Sequence, residues 1–427
     1  MKFLKYVLPD ISPLKESRDY RLLWSSTFIS ETGRQITLVA IFIQVYEITG
    51  SPAIVGAVGA AQFVALLLTT VLAGPLVDRM DRRLLLLWAQ IGYALVTGVL
   101  VVGAAMQDTP IALVFVAAAV ASAIGGIAAP TRSAMVANVV PIHGLANAQA
   151  LNQVMWNATM IVGPALGGFV IQRFGLAWGY GLDLVTYAAT ITAATLMKPL
   201  PPSAGEHLVP DGFAAVKESF SFLRTQKVLQ STFAIDLVAM IFGMPRALFP
   251  ILAVQRFGGD AQTVGLLFAA PAAGALLGAL TAGWVGQIKR QGLAVISAVA
   301  VWGAGIVAFG LTRSLVPALC FLAVAGAADV ISAVFRSTIL QTSVPDHLRG
   351  RLSAVNILVV AGGPRLGDVE AGLVAQMVSP VFSVVSGGLA CLFGTVVVAA
   401  VFPQLRRYRK PPAADPKDPV LLESSDA

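Results

Sequence analysis

Long runs of apolar residues, separated by short polar segments, divide this chain of 427 residues. A helix needs about 18 or more apolar residues in succession to cross a bilayer, whereas the strands of a membrane barrel alternate over about ten residues. The apolar runs match the first pattern. We predict an all-α membrane protein with twelve transmembrane helices, at residues 22–46, 52–76, 84–106, 111–138, 147–171, 176–198, 229–254, 262–285, 292–312, 315–341, 350–377 and 380–402.

The composition agrees with this prediction. The chain is 57% hydrophobic and 12% charged, whereas soluble domains usually carry about 25% charged residues. The N-terminus, residues 1–21, is polar and basic and leads directly into the first span, so we expect no cleavable signal peptide. Cys320 and Cys391 both fall within predicted spans, where we interpret them as apolar fillers rather than as a disulfide or a metal site.

Basic residues outside the spans predict the orientation. If the N-terminus is cytoplasmic, 21 of the 29 Lys and Arg residues lie on the cytoplasmic side, and only Arg173, Arg256 and Arg313 lie on the outer side. The positive-inside rule therefore places both termini in the cytoplasm. The net charge of +7 reflects this topology. No nucleic-acid partner is expected, because the charges form no contiguous patch away from the span ends.

The two halves of the chain repeat one another. The stretch "TRSAMVANVVPIHGLANAQALN" (131–152) aligns with "FRSTILQTSVPDHLRGRLSAVN" (335–356), which places Arg132 opposite Arg336 at an offset of 204 residues. We predict two pseudo-symmetric six-helix bundles, 22–198 and 229–402, a cytoplasmic linker with an amphipathic helix at 199–228, and a cytoplasmic tail at 403–427. Parallel repeats with a ligand site between them at the bilayer midplane are typical of secondary transporters.

The loop between spans 2 and 3 reads "GPLVDRMDRRLLLL" (74–87). A glycine here lets two helices approach closely, and an aspartate at a helix end can cap a neighbouring helix or pair with an arginine. The loop resembles the signature of the major facilitator superfamily, although Asp81 stands where a glycine is usual. The resemblance implies a conformational latch formed by Gly74, Asp78, Arg79, Arg82 and Arg83.

Other stretches resemble the branch of this superfamily that contains the enterobactin exporters. They are "YEITGSPAIVGAV" (46–58), "VGPALGG" (162–168), "PRALFPIL" (245–252) and "LQTSVPDHLRGRLSAVN" (340–356). The resemblance covers about residues 18–410 and implies an exporter of the bacterial inner membrane. It also implies a monomer that uses no cofactor, draws energy from the proton gradient, and has a small-molecule substrate, protons and the lipid bilayer as its partners. Spans 1, 4, 7 and 10 would line the central cavity, and spans 2, 5, 8 and 11 would form the interface between the halves.

Ionisable residues within membrane spans are candidates for function, because an unpaired charge in the bilayer is costly. The candidates for substrate binding or proton coupling are Glu31, Arg34 and Gln35 on span 1, Asp236 and Arg246 on span 7, and Asp329 on span 10. Candidates for a structural role at helix interfaces are Gly163, Pro164, Gly167 and Gly168 on span 5, and Arg365 and Asp368 on span 11. Asp329 is alternatively the counter-ion of Arg246, and Pro250 is expected to break span 7.

Two interpretations of Glu31 and Arg34 remain open. They form either a neutralising i,i+3 pair, or a proton-titrating carboxylate beside an arginine that contacts an anionic substrate. Arg34 and Arg246 favour a siderophore-like substrate of anionic or catecholate character. The alternative is a broad-specificity drug/proton antiporter of the same superfamily. An enzyme is not expected, because no histidine lies in a predicted span and no cluster with the spacing of metal ligands occurs. The sequence contains no nucleotide-binding loop, so we expect the energy to come from a gradient.

Overall fold

The computed structural model describes residues 10–106, 109–200, 222–281, 285, 287–344 and 346–409, without the side chains of 71, 72, 74, 75, 77, 78 and 346–358. In this part of the chain all regular structure is helical, as predicted. The long helices are α1 (Arg18–Thr49), α2 (Pro52–Arg79), α3 (Arg82–Ala105), α4 (Ile111–Val139), α5 (Leu145–Phe174), α6 (Leu176–Leu196), α7 in two segments (Lys227–Phe242 and Phe249–Gln255), α8 (Ala261–Thr281), α9 (Gln291–Leu311), α10 (Leu315–Ser343), α11 (Asp346–Met377) and α12 (Pro380–Val401).

Nine of these helices are long and apolar enough to cross a membrane within the described residues, namely α2 to α5, α7 to α10 and α12. The protein is therefore a multi-pass membrane protein. Helices α1, α6 and α11 are long enough to span, but polar and charged residues interrupt their apolar sequence, as Glu31 and Arg34 do in α1. Such residues are compatible with a span only where they face protein or water rather than lipid.

Helix α7 is interrupted, but at a different place from the one predicted. Its first segment ends before Gly243, and the carbonyl of Gly243 accepts a hydrogen bond from the Trp302 indole at 2.9 Å. Residues Arg246–Leu248 form a single 3₁₀ turn, and the second segment then begins at Phe249. Pro250 lies in the first turn of that segment, where the missing N–H breaks no hydrogen bond. The interruption therefore falls at 243–245, before Pro250.

Two helix pairs make the most extensive contacts between the halves of the chain, α2 with α11 and α5 with α8. Glycines allow these backbones to approach closely. A β-carbon at Gly372 would lie 3.1 Å from the Cα of Gly56, and one at Gly168 would lie 3.0 Å from the Cα of Gly265. Small residues at such crossings are the usual means of tight helix packing in membranes.

The two faces of the helix array differ. We call the face where α1 begins the near side and the face where α1 ends the far side. On the far side Ser51 donates a hydrogen bond to Gln376 at 2.8 Å, and the backbone N–H of Ala261 donates one to Gln172 at 3.2 Å. These are the hydrogen bonds between the two halves within the described residues.

An apolar cluster between the halves reinforces the closure of the far side. The ring of Phe268 in α8 makes edge contacts with Phe42 of α1 and Phe249 of α7, at centroid distances of 5.6 and 4.9 Å. Phe42 and Phe249 are almost fully buried. The halves therefore meet tightly at the far side, whereas a cavity remains between helices at the near side.

Several predicted features lie outside the described residues. Most of the amphipathic linker helix is one of them. Its described end, residues 222–225, is helical, and Phe222 and Leu223 pack against the cluster of Leu229 and Val344. The N-terminal residues 1–9 and the tail 410–427 are others. In the predicted latch, the surroundings of Gly74 and the side chain of Asp78 also lie outside them.

Candidate substrate and coupling site

Glu31 forms the centre of the first charged cluster. It lies in the near-side part of α1, is only 3% exposed, and accepts hydrogen bonds from two arginines. Arg34 donates from Nε at 2.8 Å and from Nη2 to one carboxylate oxygen, and Arg132 of α4 donates from Nη1 to the other. We call Glu31, Arg34 and Arg132 the first charge centre. With both arginines charged and the carboxylate ionised, it has a net charge of +1.

Asp236, Asp329 and Arg336 form the second charge centre. Arg336 of α10 forms an ion pair with Asp236 of α7, and its Nη2 lies 3.7 Å from Oδ1 of Asp329 on its own helix. Asp236 is buried, whereas the Asp329 side chain is 27% exposed. When all three groups are ionised, this centre has a net charge of −1.

The two centres occupy equivalent places in the two halves. In each, an arginine of the fourth helix reaches an acid on the first helix of the same half. Arg132 and Arg336 are separated by the repeat offset of 204 residues, and Glu31 and Asp236 by 205. No role is predicted for either arginine from the sequence, although the internal repeat aligns them. The alignment of two arginines within membrane spans was the one signal in the sequence that could have identified them as functional candidates.

Arg246 pairs with Asp368, so the prediction that Asp329 could be its counter-ion is wrong. Arg246 Nη2 donates to Oδ2 of Asp368 at 2.6 Å, and the backbone N–H of Ala247 donates to Oδ1 at 3.2 Å. Asp368 is fully buried on α11. The interruption of α7 brings the 3₁₀ turn to this carboxylate, which the sequence could not reveal. The contact joins α7 to α11 rather than to α10.

Arg365 and Asp368 both lie at the contact of α11 with α2. A β-carbon at Gly59 of α2 would lie 2.9 Å from Cβ of Asp368 and close to the carbonyl oxygen of Arg365. The Arg365 guanidinium donates to the backbone carbonyl of Ala361 one turn earlier in its own helix. The two residues therefore do not pair with each other through a hydrogen bond, and each has a separate partner.

Gln35 and the glycines of α5 belong to the contacts of α5 with its neighbours. Gln35 is buried, and its side chain packs against Gly163. A β-carbon at Gly167 would lie 3.1 Å from the Cα of Ile36 in α1. Gly168 and the carbonyl of Pro164 face Gly265 of α8. One short motif on α5 therefore contacts helices of both halves, and Gln35 does not line the near-side cavity described next.

A cavity of about 170 Å³ opens at the near side between α1, α4 and α5. Glu31 and Arg132 form its charged part, and its other lining residues include Tyr20, Trp24, Asn152 and Trp156. Hydrogen bonds hold two of these aromatic side chains. The Tyr20 hydroxyl donates to the Ala148 carbonyl at 3.0 Å, and the Trp24 indole donates to the Leu151 carbonyl at 3.3 Å. The cavity thus presents aromatic walls beside an arginine.

The loop between α2 and α3 is held by its second aspartate and by two arginines. Asp81 caps α3, because its Oδ1 accepts from the backbone N–H of Arg83 at 2.8 Å. The capping role gives a structural reason for an aspartate at position 81, where related loops usually have a glycine. Arg82 is buried and donates to Asn138 of α4 at 2.7 Å, whereas Arg83 donates to the Ala194 and Thr195 carbonyls at the end of α6. Arg79 is exposed.

Asp183 of α6 is a buried acid that belongs to neither centre. Its Oδ2 accepts hydrogen bonds from the hydroxyls of Thr37 at 2.5 Å and Tyr187 at 3.0 Å, and Thr97 lies at 3.5 Å. These donors come from α1, α3 and α6. Asp183 therefore links three helices through neutral hydroxyl donors.

Comparison with known proteins gives a consistent result along the whole chain. The enterobactin exporter EntS of Salmonella typhi is 26% identical over 415 residues, which cover 96% of this chain and 98% of that protein. The enterobactin exporter EntS of Citrobacter koseri is 27% identical over 416 residues, which cover 95% of this chain and 97% of that protein. The similarity therefore extends over both halves.

Solved transporter structures share the fold at low sequence identity. A POT family transporter in complex with 5-aminolevulinic acid superposes with a TM-score of 0.72 at 11% identity, covering 91% of this chain and 97% of that chain. A bacterial homologue of the human lysosomal transporter Spinster, in an inward-facing and unoccupied conformation, gives a TM-score of 0.67 at 15% identity, covering 92% and 98%.

A family profile described as a transmembrane secretion effector of the MFS type matches residues 9–421, nearly the whole chain. The family and the similar proteins are transporters and not enzymes. From the helices, the buried charge centres and this match, the chain belongs to the transmembrane secretion effector family of MFS transporters.

Proposed function

We propose that this protein is a proton-coupled exporter of the bacterial inner membrane whose substrate is a small, siderophore-like molecule with an acidic aromatic group. The observation that carries the proposal is the first charge centre, in which Arg34 and Arg132 share the single carboxylate of Glu31. Its excess positive charge lies in surroundings of low dielectric, where an anion is attracted more strongly than in water. A substrate anion would compete with Glu31 for the arginines.

The near-side cavity supports an aromatic substrate. Trp24 and Trp156 offer flat apolar surfaces next to the Arg132 guanidinium. A catecholate has a planar ring with two adjacent oxygens, and a guanidinium can donate to two such oxygens at once. The similar proteins named enterobactin exporters favour a substrate of this class.

We assign the coupling proton to Asp329 of the second charge centre. Asp329 is the more exposed of the two acids there, and its nearest cation, Arg336, is already paired with Asp236. A proton on Asp329 would neutralise the excess negative charge of that centre. The sequence-based hypothesis that Glu31 carries the proton stays a prediction.

Glu31 is the weaker candidate for proton exchange because of linkage. A proton on Glu31 would free both arginines and so strengthen the binding of an anionic substrate. By reciprocity, the bound substrate would then strengthen proton binding. Exchange requires the opposite, in which proton and substrate exclude each other. If the proton binds at Asp329 and the anion binds beside Arg132, the two ligands do not interact directly. Their exchange is then coupled through the change in conformation between the two halves.

The proposal includes twelve membrane spans in two six-helix bundles, with both termini and the near side in the cytoplasm. The internal repeat, the contacts of α2 with α11 and of α5 with α8, and the 21 basic residues assigned to one side support this layout. The open near-side cavity would then load its substrate from the cytoplasm. The loop of Gly74, Asp78, Arg79, Arg82 and Arg83 would act as the latch during the change between states.

The second candidate function is a broad-specificity drug/proton antiporter. The apolar part of the cavity lining, including Leu23, Val136 and Met155, favours it, because such surfaces accept many lipophilic molecules. A lipophilic cation would, however, have to approach a centre with excess positive charge. We therefore rank this function second.

The test is uptake of an iron-free catecholate siderophore into everted membrane vesicles, with and without an inside-acid pH gradient. We expect gradient-driven uptake with the wild type, its loss with Asp329→Asn, and its retention with the matched control Asp183→Asn. Uptake no greater than in vesicles without the protein would contradict siderophore export. Uptake of a cationic dye by the same vesicles would then support the second candidate.

A further inference from the structure

Four arginines line a groove on the near side, far from both charge centres in the sequence. The groove has a volume of about 300 Å³ and is lined by Arg290, Leu293, Arg406, Arg407 and Arg409. The stretches 287–293 and 403–409 contain five basic residues and no acidic one. The transport cycle proposed above does not use this groove.

The fold builds the groove from two distant parts of the chain. The short helix Pro403–Arg407 packs against the beginning of α9, where Leu405 is fully buried. The backbone N–H of Gly292 donates to the Tyr408 carbonyl at 3.4 Å, and a side chain at Gly292 would collide with the Leu405 carbonyl. These contacts hold Arg290 beside the arginines that follow α12.

The arginines of the groove differ from other arginines on the near side. Arg82 donates to Asn138, and Arg83 donates to two backbone carbonyls. In the part of the chain that the structure describes, none of the four groove arginines forms an ion pair. Clustering like charges is unfavourable unless an anion is bound between them.

α12, which precedes three of the groove arginines in the chain, exposes apolar side chains in its last two turns. Val396 and Val401 are exposed by 66% and 63%, and Val397 by 39%. α9 and α12 are both among the apolar membrane helices, and the groove lies where they reach the near side. Arginines at the end of membrane helices lie at the depth of lipid headgroups, with acyl chains alongside the apolar surface.

We propose that this groove is a binding site for the phosphate headgroup of an anionic phospholipid, with the acyl chains lying along α12. Guanidinium groups bind phosphate oxygens through paired hydrogen bonds. Four arginines match a lipid with two phosphates better than one with a single phosphate. The site is independent of the substrate proposed for the cavity.

The experiment measures lipid binding to the purified full-length protein in detergent by native mass spectrometry, with cardiolipin, phosphatidylcholine and inorganic pyrophosphate as probes. We expect cardiolipin to bind at least tenfold more tightly than the other two. The variant Arg406→Gln/Arg407→Gln/Arg409→Gln should weaken cardiolipin binding about 100-fold, since each interfacial arginine contributes about a factor of five.

Two further variants test whether the loss of cardiolipin binding is specific to the groove, rather than a result of lower net charge or of misfolding. The control Arg18→Gln/Arg173→Gln/Arg224→Gln removes three exposed arginines elsewhere and should leave cardiolipin binding unchanged within about twofold. The variant Arg406→Lys/Arg407→Lys/Arg409→Lys keeps the charge and should lose less than the glutamine variant. Equal losses in the glutamine variant and the control, or equally tight binding of pyrophosphate, would overturn the proposal of a lipid site.

Discussion

In the first charge centre two arginines share one carboxylate, whereas in the second one arginine faces two carboxylates. The element common to both is an arginine of the fourth helix paired with an acid of the first helix in the same half. The third member of each centre differs in the sign of its charge and in the helix that carries it. It is Arg34 on α1 in the first half and Asp329 on α10 in the second.

The difference shows what the duplication kept and what it changed. At the offset of 205 that aligns Glu31 with Asp236, Arg34 corresponds to Ala239. At the offset of 204 that aligns Arg132 with Arg336, Asp329 corresponds to Gly125, so neither additional charge has a charged counterpart. The cross-helix pair is therefore present in both halves, and each half has its own additional charge. When all groups are ionised, the centre of the first half therefore has an excess positive charge and that of the second half an excess negative charge.

The largest expected effect follows from Arg336→Met. This change leaves Asp236 and Asp329 without a cation, and removing one partner of a buried ion pair costs about 3–5 kcal/mol. The free energy of unfolding in detergent should fall by that amount. The double variant Arg336→Met/Asp236→Asn should recover at least half of the loss, and failure to recover would show that Arg336 acts through packing instead.

Arg132→Met should destabilise the protein less than Arg336→Met does, and the two variants together test the difference between the two charge centres. Glu31 keeps Arg34 as a partner, so we expect a loss of about 1–2 kcal/mol in the free energy of unfolding. The affinity for a catecholate substrate should fall by about tenfold or more, because a charge-assisted hydrogen bond is lost. A loss of stability equal to that of Arg336→Met would contradict the difference between the centres.

Asp329→Asn should abolish the coupling of transport to the pH gradient without weakening substrate binding. The variant removes the proposed proton carrier and leaves the cavity of Trp24, Glu31 and Arg132 intact. We expect the substrate Kd, measured by equilibrium binding in detergent, to stay within about twofold, while the transport rate in vesicles no longer responds to the pH gradient. If the transport rate of the variant responded to the pH gradient as that of the wild type does, a carboxylate other than Asp329 would have to carry the coupling proton.

The smallest effect is expected for Asp183→Asn. This acid is fully buried and is held by the hydroxyls of Thr37 and Tyr187 rather than by arginines. We expect a loss of stability of about 1 kcal/mol, with substrate affinity and gradient response unchanged. A loss of gradient response here would mean that burial of an acid, rather than membership of a charge centre, determines coupling.

Much of the fold followed from the sequence because the bilayer restricts it strongly. A segment in lipid has to satisfy its own backbone hydrogen bonds, so long apolar runs predict helices. Buried charges are costly, so Glu31, Asp236 and Asp329 were recognisable as candidates from their positions alone. The glycines of α5 were expected at an interface because their stretch resembles that of related exporters, and they do lie between α1 and α8.

The sequence by itself determined that the chain is helical, crosses a membrane, repeats itself and buries charged residues, because these properties depend on local hydropathy and on internal similarity. Only the tertiary structure decided which charges pair. Arg132 reaches Glu31 over a separation of 101 residues, and Arg246 reaches Asp368 rather than Asp329 because α7 is interrupted before Pro250. Such pairings depend on helix rotation and on a local break in a helix, and neither is encoded by the hydropathy of any single segment.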